Sequence, residues 1–324
     1  MSRVLRPLAS GERVGIFWGG GLGDLLVLRP LLMAFEARLT AAPVLYTTAQ
    51  HLPNLLAELS LTTHLQVLPR KAAAAVAMLR RENSLDLLYI GPYTTLSTLL
   101  LAKAVKAREV WHRRHADADP FIGEQVLADA RSFDLDVAPE PYGGPLPGVD
   151  GAKPGNYLLL HPGAKDGWKT KQWPPENWRE FMLKLLAESP LDLMLVGSGR
   201  EAAFLQELTG GVPEAARARV SVKSDLSLSG LAALVATSAG VICHNSGILH
   251  LAAMLGKTTI ALTGSSARFW RPPYPHVINI TSGLCNLACN QYHCPVPFYH
   301  ARCIRRLEVE AVMGTVRERL FPRP

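Results

Sequence analysis

An α/β fold in two doubly wound, Rossmann-like domains facing a cleft is what this chain of 324 residues predicts. Three observations carry the prediction. Short apolar runs alternate with longer amphipathic runs from Arg13 onward. The alternation stops between Pro139 and Asn156, where proline and glycine crowd together, and it then begins again. Strands that alternate with helices make parallel sheets covered on both faces, and a Pro/Gly tract between two such series reads as a linker. The domains are placed at residues 1–150 and 151–324.

In the first half, strands are expected at Arg13–Trp18, Pro43–Thr48, Leu65–Leu68, Asp86–Gly91 and Glu109–His112. Helices are expected at Leu25–Leu39, Pro53–Leu59, Ala72–Arg81, Thr95–Lys106 and Ile122–Phe133. Pro30 is placed early in its helix, where a missing amide hydrogen is tolerated. In the second half the strands are Tyr157–His161, Leu191–Val196, Arg219–Val222, Gly240–His244, Thr258–Thr263 and Val277–Ile280. Its helices are Pro175–Glu188, Glu201–Leu208, Leu228–Thr237, Ile248–Leu255 and a charged terminal helix, Arg305–Leu320, expected to pack back over the linker and the first domain.

Hydrophobic residues make up 48% and charged residues 19%, the balance of a globular protein with sizeable cores. The start, Met1 to Pro7, has no long apolar run, so no secretory signal is expected, and no uncharged apolar stretch is long enough for a spanning helix. A cytoplasmic setting follows. The formal charge of +7 favours an anionic partner, such as a phosphorylated lipid surface or nucleic acid. The basic pairs Arg70-Lys71, Arg80-Arg81 and Arg113-Arg114 are dispersed and lack interleaved aromatics, so nucleic acid is set aside.

The stretch from Gly240 to Gly264 organises the chemistry. A strand runs into Asn245-Ser246-Gly247 and then into an apolar helix. Asn245 or Ser246 can cap that helix, and Gly247 lets backbone approach a ligand. The helix start carries unpaired amides and partial positive charge, which suit a phosphate, and His250 lies one turn further on. Read blandly, Ser246 is only a cap and His250 a satisfied core histidine.

Three other stretches carry polar groups at strand ends. Gly19 to Asp24 is a glycine-rich turn, but Asp24 stands where a dinucleotide fingerprint needs glycine. Gly21 and Gly23 allow close approach of a substrate, and Asp24 suits a general base; its bland alternative is a helix cap. His161-Pro162-Gly163 leads to Lys169-Thr170-Lys171-Gln172-Trp173-Pro174, in which Lys171 is the best phosphate ligand if the lysines are more than a solvated loop. Gly197 to Glu201 ends another strand, and Glu201 there either accepts ribose hydroxyls or merely starts a helix. Cys285, Cys289, Cys294 and Cys303 crowd together late in the chain. They could bind zinc or iron, although the first pair is spaced C-x3-C; the alternative is a thiol-rich loop.

Together these stretches resemble glycosyltransferase family nine, the lipopolysaccharide heptosyltransferases. The matching residues are Gly23-Asp24 with the Pro30 helix, His161-Pro162-Gly163, Lys171-Gln172-Trp173-Pro174 with Trp178, the Gly197–Glu201 turn, Asn245-Ser246-Gly247 with His250, Leu262-Thr263-Gly264 and the cysteine cluster. The resemblance implies a GT-B fold, an acceptor-binding first domain and a nucleotide-sugar-binding second domain. It implies inverting transfer of heptose from ADP-heptose to a lipopolysaccharide core acceptor, an anionic glycolipid at the inner membrane surface, with no cofactor needed for catalysis. By the same resemblance Asp24 is the base, Lys171 binds the donor phosphates, Glu201 holds the ribose, and the Asn245 turn with His250 meets pyrophosphate and sugar. The chain departs from the family at Asn245-Ser246-Gly247, where Asp-Thr-Gly is usual. Two alternatives stand beside this reading: a transferase of the same fold using another nucleotide sugar, and a non-catalytic nucleotide-sugar-binding homologue.

Overall fold

The computed structural model describes residues 6–49, 52–82, 84–91, 100–112, 120–138, 141–144, 146, 149, 155–164, 169–264, 268–284, 294, 296 and 301–321. The chain forms two compact units, Met1–Gly144 and Pro145–Pro324.

The first unit is built on five parallel strands: β1 (Val14–Phe17), β2 (Val44–Thr47), β3 (His64–Val67), β4 (Leu85–Ile90) and β5 (Ala107–His112), in the order β3-β2-β1-β4-β5. The interior strand β1 is buried along its length, whereas the edge strand β5 alternates half-buried and exposed residues. Sequence pattern thus sets position in the sheet, since only interior strands are covered on both faces. The helices are α1 (Leu22–Arg38), α2 (Leu52–Glu58), α3 (Ala72–Arg81) and α4 (Ile122–Ser132). The helix expected over Thr95–Lys106 lies in its first half outside the described residues, and Leu100–Ala102 is helical.

Helix α1 begins at Leu22, earlier than expected, because the Asp24 carboxylate accepts the Gly21 amide hydrogen at 2.8 Å and closes the first turn. Pro30 therefore stands well inside the helix, not near its start. The helix is apolar almost all round, and its burial on every side holds the backbone across the missing amide bond. Beside Pro30, the buried Arg29 guanidinium donates through Nη1 to the carbonyls of Tyr142, Gly143 and Gly144 at 2.8, 3.1 and 2.9 Å. These three residues have φ of 68°, 73° and 79°, and that left-handed turn is what points their carbonyls at one cation. The start of the expected linker is thus tied to α1.

The second unit has six parallel strands: β6 (Tyr157–His161), β7 (Asp192–Gly197), β8 (Val220–Ser224), β9 (Gly240–His244), β10 (Thr259–Leu262) and β11 (Val277–Ile280), ordered β11-β10-β9-β6-β7-β8. Its helices are α5 (Pro175–Glu188), α6 (Ala202–Gly210), the short α7 (Glu214–Arg217), α8 (Leu228–Thr237), α9 (Gly247–Met254), α10 (Arg302–Arg305) and α11 (Val309–Arg319). Trp173, Trp178 and Phe181 meet edge to face, with ring centroids 5.3 to 6.0 Å apart, in a core shared with Val312, Met313 and Val316 of α11. Helix α11 lies against α5, and Arg317 is paired with Glu188 across them. The single terminal helix expected over Arg305–Leu320 is two. The Leu307 carbonyl accepts the Trp173 indole hydrogen at 2.8 Å, and Glu308 is extended. Among the described residues no helix is long and apolar enough to cross a membrane.

Candidate functional site

Both sheets reverse their strand order beside the first strand of the unit, between β1 and β4 and between β6 and β9. In open parallel sheets the carboxyl ends of the strands at such a reversal form the ligand-binding crevice. Gly21, Gly23 and Asp24 follow β1, Asn245, Ser246, Gly247 and His250 follow β9, and Glu201, after the neighbouring strand β7, reaches Gly163 beyond the end of β6.

In the first unit, β1 runs into Trp18 and Gly19-Gly20-Gly21. A Cβ on Gly19 would stand 2.5 Å from Asp24 Cγ, and one on Gly21 3.0 Å from Asp24 Oδ2, so the glycines make the space the half-buried carboxylate fills. Trp18 donates its indole hydrogen to the Asp24 carbonyl at 2.8 Å and stacks on Tyr89 at 6.0 Å. Its seat depends on Gly91 at the end of β4, where a Cβ would fall 2.2 Å from the indole. Gly23 is buried in the first turn of α1. Asp24 does cap its helix, and in doing so it is held at the rim of a glycine-lined turn.

In the second unit, Glu201 is enclosed by glycines in the same way. A Cβ on Gly163 would stand 1.8 Å from Glu201 Oε1, and one on Gly197 3.2 Å from Oε2. The amide and hydroxyl of Ser198 both donate to Oε2, at 2.7 and 2.8 Å, so Glu201 also starts its helix as the bland reading holds. His161 Nε2 lies 4.0 Å from Oε1, and His161 Nδ1 lies 3.3 Å from the Ser246 hydroxyl. Ser246 occupies the N-cap of α9 yet makes no side-chain cap. Asn245 does not cap either: its Nδ2 donates to the Trp270 carbonyl at 3.1 Å. The expected side-chain capping of α9 is therefore corrected. Both polar side chains are drawn sideways by neighbours; the Leu249 amide donates to the Ser246 carbonyl at 3.1 Å, and neither side chain caps the Gly247 and Ile248 amides. Gly247, the first residue of α9, is half-buried.

Lys171 ends a one-turn helix, Lys169–Lys171, and is half-buried. Its charge reaches two histidines. Burial, and then Lys171, holds His250 down to about 3. Burial holds His244 down to about 4, with Lys171 a smaller contribution in the same direction. Burial alone lowers His161 to about 4. His250 packs edge to face on Trp270 at 5.6 Å, as a core histidine would. The three rings are neutral at physiological pH, so they add no positive charge at this crevice, whereas Lys171 and the start of α9 do.

The structure brings Glu201, Ser246, Asn245, Gly247, His250 and Lys171 to one end of one sheet and sets Asp24, Gly21 and Gly23 in the other unit. His161, His244 and Trp270 were not among the residues singled out as site members. The signal for the histidines was a polar residue closing an apolar strand, LLLH and VICH. Cys285 and Cys289 lie outside the described residues. Cys303 is buried and Cys294 half-buried. Among the described residues no three metal-ligating side chains come together.

Two Rossmann-like units, one with a carboxylate in a glycine turn and one with polar side chains gathered at its strand reversal, define an α/β protein of two doubly wound domains. The model of glycosyltransferase family 9 (heptosyltransferase) matches residues 125–300, more than half of the chain, and the chain belongs to that family. Lipopolysaccharide heptosyltransferase 1 of Pseudomonas aeruginosa is 30% identical over 141 residues, 43% of this chain and 38% of that protein. The sequence match thus spans under two fifths of that relative's length. Among solved structures, E. coli ADP-heptose lps heptosyltransferase II aligns with TM-score 0.65 and 18% identity over 95% of this chain and 98% of its own. E. coli heptosyltransferase WaaC with ADP-2-deoxy-2-fluoro heptose aligns with TM-score 0.60 and 18% identity over 94% and 99%. The shared fold is the GT-B class.

Proposed function

We propose that this protein is an inverting glycosyltransferase that moves heptose from ADP-heptose to an anionic glycolipid of the lipopolysaccharide core. The observation that carries the reading is the convergence of the Lys171 charge with the side-chain-free start of α9, at the carboxyl ends of β6 and β9. That convergence suits a diphosphate. The named relatives supply the donor class, since one solved heptosyltransferase of the same fold carries an ADP-heptose analogue.

In this reading a hydroxyl oxygen of the acceptor attacks the anomeric carbon while the bond from that carbon to the diphosphate oxygen breaks. The electron pair leaves with ADP. The hydroxyl proton passes to the Asp24 carboxylate. Lys171 and the α9 amides stabilise the charge that grows on the departing diphosphate, and Glu201 accepts the ribose hydroxyls. The basic chain charge of +7 favours an anionic acceptor and a peripheral position at the inner membrane surface. The four late cysteines have a structural role, with or without zinc or iron, and no step passes through them.

A second reading, a different nucleotide sugar on the same scaffold, is favoured by one observation: Asn245 places a neutral amide where the family usually has a carboxylate. Purified protein is given ADP-heptose or other nucleotide sugars, with and without heptose-free lipopolysaccharide, and released ADP or other nucleotide is measured. Acceptor-dependent ADP release from ADP-heptose supports the first reading. Turnover with another donor moves the assignment to the second. Binding of ADP-heptose without transfer to any acceptor makes the protein a non-catalytic homologue.

A further inference from the structure

His244 closes β9 and is wholly buried, yet both its ring nitrogens are engaged. The Trp173 amide donates to Nε2 at 2.9 Å, so Nε2 carries a lone pair. The ring is neutral, its proton is therefore on Nδ1, and Nδ1–H donates to the Gly163 carbonyl at 2.9 Å. Trp178 meets the ring edge to face at 5.5 Å and sets its plane. One imidazole at the end of β9 thus holds both ends, Gly163 and Trp173, of the connection between β6 and α5 that carries Lys171.

We infer that His244 is a positioning residue for the nucleotide site, holding the Lys171 loop in place through the Trp173 amide. The inference rests on the donor-site reading above. The one-turn helix Lys169–Lys171 is too short to hold itself, since nucleating a turn costs more than its few bonds return. Its other supports are tight. The Thr170 carbonyl oxygen lies 2.4 Å from where a Cβ on Gly264 would stand, so this backbone crosses Gly264 without spare room. The Trp173 indole is anchored to Leu307 at 2.8 Å. Lys171 stands between Thr170 and Trp173, and the only described side chain that accepts the Trp173 amide is His244. The groups facing His244 are Lys171, His161 and Glu201, none of which takes its proton.

Imidazole joins the two ends of this connection because it offers one acceptor and one donor on opposite sides of a rigid ring. Glutamine reaches as far as Nε2 and can keep the acceptor for Trp173. Asparagine reaches only as far as Nδ1 and can keep the donor for Gly163. The two variants therefore separate the two halves of the tie.

The test measures ADP affinity by calorimetry on the full chain for wild type, His244→Asn and His244→Gln, each with and without Lys171→Ala. Asparagine should weaken ADP binding about tenfold, the order expected for one lost buried hydrogen bond, and glutamine by less than about threefold. Lys171→Ala added to His244→Asn should weaken binding little further, because both act on one charge. Equal losses in the two variants, or additive effects with Lys171→Ala, overturn the inference. The Lys171 backbone amide resonance supplies a readout without ligand. If wild type binds no ADP, the donor reading fails, yet a shift of that resonance in His244→Asn and not in His244→Gln still supports the tie. An unmoved resonance in both variants overturns it.

Discussion

Glu201 and Gly163 share one space: the carboxylate lies where a side chain at Gly163 would begin, 1.8 Å from its Cβ position. The clash falls on the far end of a flexible side chain, so Gly163→Ala should leave the fold standing while it turns Glu201 away. The expected outcome is a loss of ADP affinity of about tenfold, the worth of a charge-assisted contact to ribose, with a drop in thermal midpoint no larger than a lost helix cap gives, since the Ser198 bonds to Oε2 go with it. Calorimetry with ADP against ADP-free ribose diphosphate analogues checks it. Unchanged ADP affinity would remove Glu201 from the nucleotide site.

Asp24→Asn keeps an oxygen that can accept the Gly21 amide hydrogen, which Asp24 Oδ2 accepts at 2.8 Å. The helix start should therefore survive, and donor binding with it. Turnover should fall by about 10²-fold or more, as loss of a general base does. Steady-state kinetics beside a melting curve separates the two roles: near-normal turnover would leave Asp24 as a cap alone.

Asn245→Asp replaces an amide that donates to the buried Trp270 carbonyl with a group that can only accept. Two acceptors then face each other in a buried place, which costs roughly 1–3 kcal/mol. The denaturant midpoint should drop accordingly. Preference among nucleotide sugars should shift as well, because the Trp270 turn that packs on His250 loosens. A variant as stable as wild type would show that the amide is not a clamp.

Acid should weaken the second unit earlier than carboxylate titration alone would. His161 and His244 are held at about 4 and His250 at about 3, all below the ordinary 6.5. The unfolded chain therefore takes up protons first as pH falls. Stability is complete above pH 6.5 and is lost as pH drops toward 4; for His244 that span corresponds to about 3 kcal/mol. Denaturant midpoints at pH 7.0, 5.5 and 4.5, on the order of the interval these values define, should fall steadily. His250→Asn should flatten the slope, whatever it does to the midpoint at neutral pH.

The strands Tyr157–His161, Gly240–His244 and Val277–Ile280 and the helices Ala72–Arg81, Pro175–Glu188 and Leu228–Thr237 were legible to the residue. Pro162 stops Tyr157–His161, Pro174 and Ser189 bound Pro175–Glu188, and Ser227 and Ser238 bound Leu228–Thr237, so local chemistry marks those ends; the others end where an apolar run meets a charged or polar residue. The start of α1 was not legible, because it depends on a carboxylate folding back onto Gly21. The break before α11 depends on Trp173, far away in sequence. Lys171, Glu201 and the Asn245 turn stood out because they are polar groups where apolar strands end. His244 did not, since its partner amide lies 71 residues earlier and a histidine closing an apolar strand reads as core.

The carbonyl of Leu307 receives both the Trp173 indole and the Asn177 amide, at 2.8 and 3.4 Å. Helix α11 behind it fills the same core as α5. A stop codon upstream of Leu307 would spare Lys171, Glu201, Ser246 and His250 in the reading frame. It would still behave as a null allele and not as a trimmed one, because the translated product would lack the floor on which the Lys171 loop rests.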